Sequence, residues 1–178
     1  MKKVLLILSL LIVASGGALY TLKGKSQYEP GKYSLEIRPA DKPFGIGSTL
    51  SYRLPDQFGK THRSSLQTRT IAFAFSKKAG HILRSTMEKR APGYLRKHRA
   101  VLIADISGMP TLIRNMFALP DLRKSAYPML LIYDREMARR LKEGRVGSRV
   151  VVMHLQKGKV TAIGQADSPE KLAALLER

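Results

Sequence analysis

Thr70-Ile71-Ala72-Phe73-Ala74-Phe75 is an unbroken apolar run closed by Arg69 on one side and Ser76 on the other. A run this short, apolar at every position after Thr70, is the pattern of a strand buried on both faces. Ala100-Val101-Leu102-Ile103-Ala104 repeats the pattern. Between them, Ala79–Arg90 places Ile82, Leu83 and Met87 at helical spacing, with Arg84, Glu88 and Lys89 on the solvent side, and Ala91-Pro92-Gly93 ends the helix. Two buried strands with a helix between them are predicted to be parallel neighbours, because a parallel pair needs a crossover of this kind.

The pattern continues in both directions. Downstream, Asp105-Ile106-Ser107-Gly108-Met109-Pro110 leads to a second helix, with Ser107 as the expected cap and Pro110 in its first turn. Leu112, Ile113, Met116 and Phe117 are expected as its buried stripe and Pro120 as its stop. Met129–Tyr133 reads as a third strand ending at Asp134, and Ala138–Leu141 as a short helix. Val150–Leu155 turns at Lys157-Gly158-Lys159 into Val160–Ile163, a hairpin, and Ser168-Pro169-Glu170 starts a last helix whose buried side is Leu172, Leu175 and Leu176. Upstream, Thr49–Leu54 and Thr61-His62-Arg63 flank a turn containing Asp56 and Gly59, which predicts an N-terminal β-hairpin. The expected fold is α/β: a mixed central sheet with helices on both faces and that hairpin in front.

The 178 residues suit one domain. Residues 47–178 are assigned to it, 23–46 to a polar tether with one short strand where Tyr33, Leu35 and Ile37 alternate, and 1–22 to a targeting segment. In that segment Lys2 and Lys3 precede an apolar run from Val4 to Ala14, and Gly16 and Ala18 fit the −3 and −1 positions of a signal-peptide cut. The uncharged stretch Val4–Leu22 is equally long enough to remain as a membrane anchor. Both readings export the domain, periplasmic and either free or tethered to the inner membrane by residues 4–22. A cytoplasmic domain on an inverted anchor is the minority option.

Composition removes whole classes of chemistry. The chain has no cysteine, which excludes disulfides, thiolate metal sites, CxxC redox centres, thiol nucleophiles and a lipoprotein anchor. Its histidines, His62, His81, His98 and His154, show no HxxxH or HxH spacing, so no metal site is expected. From Lys23 onward 30 basic residues face 13 acidic ones, a net charge of +17, densest over Lys77–Arg99 and Arg135–Arg149. Such density attracts polyanions. No RNP aromatic motif, zinc finger or basic zipper accompanies it, which argues against nucleic acid and leaves an anionic membrane surface as the nearest polyanion for an exported chain.

From Gly47 to the end, the chain resembles thioredoxin-like proteins of the peroxiredoxin type. The likeness is carried by Gly47–Leu50 and Leu54-Pro55-Asp56-Gln57-Phe58-Gly59-Lys60, by Tyr127-Pro128-Met129-Leu130-Leu131-Ile132-Tyr133-Asp134-Arg135, and by the closing segments Gly147–Ile163 and Ser168–Leu176. It is most similar to the exported, uncharacterised YtfJ-type branch, through the early D-Q-F, the Tyr-Pro before a strand and the V-V-V hairpin. The resemblance implies a thioredoxin-like three-layer sandwich. It also implies a reactive cysteine after the first central strand, where this chain has Phe75-Ser76-Lys77-Lys78-Ala79-Gly80-His81, and a cis-proline before Val150, where it has Gly147-Ser148-Arg149. Ser76 cannot replace the thiol, because a hydroxyl neither ionises near neutrality nor exchanges disulfides. Thiol–disulfide exchange and peroxide reduction by cysteine are excluded.

Asp105, Ser107 and Asp134 stand at expected carboxyl ends of strands, where open α/β sheets place ligands. With His81 or His154 they could be drawn as a Ser-His-Asp set, but no G-x-S-x-G elbow supports it. Gly45-Ile46-Gly47 lacks the third glycine and the preceding strand of a dinucleotide site. Tyr94 and Tyr127 read more readily as packing residues than as stacking platforms. The candidate binding residues are Ser76, Lys77, Lys78, Asp105, Ser107, Tyr127 and Asp134; no catalytic residue and no cofactor is expected. The leading expectation is a non-catalytic module binding a protein or peptide partner in the cell envelope. The alternatives are an oxidoreductase using flavin or nicotinamide, and a basic adaptor at the membrane surface.

Overall fold

The computed structural model describes residues 28–29, 31–145 and 147–178. The signal-peptide or anchor segment lies outside these residues. Among the described residues no helix is long and apolar enough to cross a membrane.

The strands are β1 (Ser34–Arg38), β2 (Thr49–Pro55), β3 (Thr61–Arg63), β4 (Thr70–Ala74), β5 (Ala100–Asp105), β6 (Leu130–Ile132), β7 (Val150–Gln156) and β8 (Lys159–Ala166). They form one mixed sheet in the order β1-β2-β8-β7-β4-β5-β6, with β3 on β2. The helices are α1 (Lys77–Glu88), α2 (Tyr94–Lys97), α3 (Thr111–Ile113), a π-helical turn (Arg114–Ala118), α4 (Leu119–Leu122), α5 (Arg135–Lys142) and α6 (Pro169–Leu176).

As expected, β4 and β5 are parallel neighbours, paired from Thr70↔Ala100 to Ala74↔Ala104, with α1 as the crossover. Every residue of β4 is buried, which explains why its sequence does not alternate. The pleat sorts its side chains into two cores. Ala72 and Ala74, with Leu102, Leu131 and Val152, face Ile82, Leu83 and Met87 of α1 and Leu172 and Leu176 of α6. Ile71 and Phe73, with Ile103, Ile132 and Val151, face Ala138 and Leu141 of α5 and the N-terminal strands. The architecture is a three-layer α/β sandwich with helices on both faces.

The N-terminal hairpin forms where its turn residues predict, with Leu54↔His62 between β2 and β3. Its placement was not legible in the sequence. β2 starts beside β8 at Thr49↔Lys159 and ends beyond Pro55 at a bridge between Asp56 and Leu130 on β6. Leu50, Tyr52 and Leu54 thereby cover the second core. The 23–46 boundary is corrected in part. β1 pairs with β2 along its whole length, Tyr33, Ile37 and Phe44 are buried, and Arg140 of α5 donates to the carbonyls of Ile37, Pro39 and Lys42. The packed domain therefore begins well before Gly47, because the alternating apolar residues supply a strand and an arginine satisfies the carbonyls that follow it.

The segment 111–122 departs most from expectation. Ser107 does not cap it: Pro110 is extended (φ −54°, ψ 141°) and occupies the cap position itself, so helix cannot begin before Thr111. Pro120 does not stop it. The π-helical turn, with the Leu119 amide donating to the Arg114 carbonyl, opens the backbone ahead of the proline, which enters α4 in its first turn where its missing N–H costs nothing. Three of the four residues expected to be buried face outward instead: Ile113, Met116 and Phe117 are 45%, 46% and 61% exposed and Leu112 is half-buried, whereas Arg114 is 6% exposed.

His154 on β7 is half-buried, its Nδ1 3.4 Å from the Thr70 hydroxyl. Burial, and secondarily Arg178, push its pKa down. The folded state therefore favours neutral imidazole, while the unfolded chain takes up a proton as pH falls through about 6.5. This contribution to stability is complete above that pH and is lost as pH drops toward the lower folded value. Thermal melts at pH 7.5 and 5 are expected to show a loss in the parent that His154→Leu reduces.

Candidate functional site

The carboxyl ends of β4, β5 and β6 open onto one edge of the sheet, as parallel pairing requires. Ser76 follows β4, Asp105 ends β5, and Asp134 follows β6. The last β4–β7 pair at this end is Phe73↔Val151, so Ser76, just after β4, and Ser148, just before β7, both lie beyond it at the same end of the sheet.

The polar groups at this edge are engaged in local structure. Ser76 is the N-cap of α1, its hydroxyl accepting from the Ala79 amide at 3.2 Å. Lys77 and Lys78 follow with exposed side chains, and no acidic residue shares this first turn. The Asp105 carboxylate, 2% exposed, accepts from the Ser107 amide at 2.9 Å and pairs with Lys142. The Ser107 hydroxyl is shielded and has no hydrogen-bond partner among the described residues, so no base stands ready to take its proton. Asp134 caps α5, accepting from the amides of Glu136 at 2.7 Å and Met137 at 3.3 Å.

No histidine joins these groups. His154 pairs with Thr70 at the opposite end of β4, and His81 is exposed on α1, so the Ser-His-Asp arrangement does not form. Tyr127 does not reach the edge either. It precedes β6, packs against the first core, and gives its carbonyl to Gln57. Among the described residues no group of three or more His, Asp or Glu could hold a metal ion.

Two features of the site's surroundings were not seen in the sequence. Tyr28 stacks on Tyr33 at 6.0 Å and on Tyr133 at 5.7 Å, and its hydroxyl donates to Asp134 at 3.4 Å. Burial, then the Asp134 charge, push the Tyr28 pKa up. The guanidinium of Arg114 lies over the Tyr133 ring, 4.8 Å from its centre. Residues more than a hundred positions apart make this column, so no local pattern announces it.

The second feature is the role of Asp56-Gln57. The Asp56 carboxylate accepts from the amides of Phe58 and Lys60 and meets His62 Nε2 at 2.8 Å, which holds the turn. Gln57 is fully buried; its amide donates to the Tyr127 carbonyl and accepts from the Met129 amide, both at 2.9 Å. The motif that carried the family resemblance therefore covers the free edge of β6. A shallow polar cavity of about 300 Å³, lined by Gly144, Arg145, Ser148, Arg149 and Gln165, adjoins the start of β7.

No family model and no curated protein matches the chain. Solved structures do. A candidate protein disulfide isomerase from Bacteroides thetaiotaomicron is similar with a TM-score of 0.49 and 20% identity, over 81% of this chain and 90% of that one. A thioredoxin-like protein from Bacteroides vulgatus is similar with a TM-score of 0.48 and 19% identity, over 81% and 95%. StoA from Bacillus subtilis is similar with a TM-score of 0.46 and 12% identity, over 70% and 95%.

The fold is thioredoxin-like. The topology carries this statement: a parallel β4-α1-β5 core, an antiparallel β7–β8 hairpin beside β4, and a closing helix on the α1 face. It is a thioredoxin-like fold without cysteine.

Proposed function

We propose that the chain is a non-catalytic binding module of the cell envelope, of the exported YtfJ-type branch with the peroxiredoxin-type arrangement. It engages a protein or peptide partner at the end of the sheet that carries Ser76, Lys77, Lys78 and Ser148. The observation that supports this reading is the engagement of the edge's reactive groups in structure. Ser76 and Asp134 cap helices, Asp105 is paired with Lys142, and Ser107 lacks a base. What remains open to an incoming chain is a cationic rim with hydroxyls, suited to hydrogen bonding and to acidic side chains rather than to bond making.

Residues 4–22 deliver the domain to the envelope, either cleaved or retained. A photo-crosslinking side chain at position 77 or 148, in intact cells, is expected to give a discrete protein adduct that the same group at exposed Leu66 does not give. Equal labelling at all three positions, or none at 77 and 148, overturns the reading.

A further inference from the structure

The outward face of the 111–122 segment presents Ile113, Met116 and Phe117 at helical spacing, one beside the next, each at least 45% exposed. The residue that would separate this face from the core, Arg114, is buried over Tyr133. An apolar face held outward by a buried arginine is a feature built by packing, and three neighbouring apolar side chains in water favour a partner that covers them.

The N-terminal chain indicates which partner. The described chain begins at Tyr28, whose ring stacks on the same Tyr133 that carries Arg114. The uncharged stretch Val4–Leu22 ends six residues earlier, a reach of at most about 22 Å. Any bilayer that holds this stretch lies within that distance of the point where the chain joins the 111–122 segment. Positive charge lies at the end of the segment itself: Arg123 and Lys124 are exposed there, Arg123 donating through Nε to the Gln57 carbonyl and Lys124 pairing with Asp121. A second copy is a poor occupant, since the chain from Lys23 on carries +17 and would meet its own charge. We propose that Ile113, Met116 and Phe117 dip into an anionic bilayer surface while the surrounding lysines and arginines meet its headgroups, so that the domain sits on the membrane in one orientation. This rests on the envelope location proposed above and, of its two forms, on the one in which residues 4–22 are retained as the anchor.

The chain has no tryptophan, so a single one reports its own surroundings. Full-length Phe117→Trp and Leu66→Trp proteins are placed in phosphatidylethanolamine–phosphatidylglycerol vesicles whose acyl chains carry bromine. Leu66, 72% exposed, lies against the β7–β8 turn at Gly158, at the far end of the sheet, and serves as the control. Emission from position 117 is expected to shift to the blue and to be largely lost to bromine quenching. Salt and replacement of phosphatidylglycerol by phosphatidylcholine are expected to restore it, with position 66 unaffected throughout. Water-like emission from position 117 in protein that survives a carbonate wash overturns the docking face while leaving the anchored location intact. Protein that washes away with position 117 unquenched overturns the docking face and the retained anchor together, leaving the cleaved form of the envelope reading. A blue shift without bromine quenching assigns the patch to a protein neighbour, and equal quenching at 66 and 117 removes the defined orientation; each overturns the proposal.

Discussion

Phe73→Ala lowers the unfolding free energy by about 3–5 kcal/mol and Leu102→Ala by about 2–5 kcal/mol. Both side chains are 0% exposed, Phe73 in the core beneath α5 and Leu102 in the core beneath α1. Each truncation removes the transfer energy of a buried side chain and leaves a void that two rigid, directly paired strands cannot close. Either loss is a large share of the stability of a domain this size. Urea melts are expected to shift both midpoints strongly, while Ile46→Ala, at a site 72% exposed, stays within about 0.5 kcal/mol of the parent. Parent-like melts for either core variant would remove that strand from the centre of the sheet.

Gln57→Leu is expected to cost about 2–5 kcal/mol, although it keeps the volume and adds an apolar group. The substitution leaves the Tyr127 carbonyl and the Met129 amide without the partners they now have, and a buried backbone group deprived of its bond costs about 1–3 kcal/mol. The Gln57→Glu variant separates hydrogen bonding from packing. Ionised, it accepts from Met129 but cannot donate to Tyr127, and it places a charge at a site 0% exposed. Burial raises its pKa in the folded state above the unfolded value, so the folded state binds the proton more tightly and the variant gains stability as pH falls toward and below that folded value. A Gln57→Leu protein that melts with the parent would show that β6 does not depend on this cover.

The candidate edge was partly legible in the sequence. Ser76, Asp105, Ser107 and Asp134 converge because each stands at or just past the carboxyl end of a parallel strand, a position that an apolar run followed by a polar residue marks directly. Tyr127 does not join them, since a residue before a strand sits at the other end of it. The Asp105–Lys142 pair escaped notice for a different reason. Lys142 sits on α5, and only the packing of that helix over the second core sets which strand end its side chain reaches.

Local physics was sufficient for the elements themselves. The apolar runs specify β4 and β5, Ser76 and Ser168 cap their helices, the turn residues close both hairpins, and the absence of cysteine settles which redox chemistry the fold cannot perform. Periodicity also found the amphipathic character of the 111–122 segment, but not which side faces the protein. Helical spacing defines an apolar stripe relative to its own axis; burial depends on what the neighbouring elements offer. Here Tyr133 offers an aromatic face that Arg114 occupies, and the π-helical turn shifts the angular positions of the residues after Ile113. The tertiary structure alone turned Ile113, Met116 and Phe117 to the outside, drew β2 across the sheet, and buried Gln57 as a cover for β6. Each depends on partners many residues away, whose contribution is decided only when the layers meet.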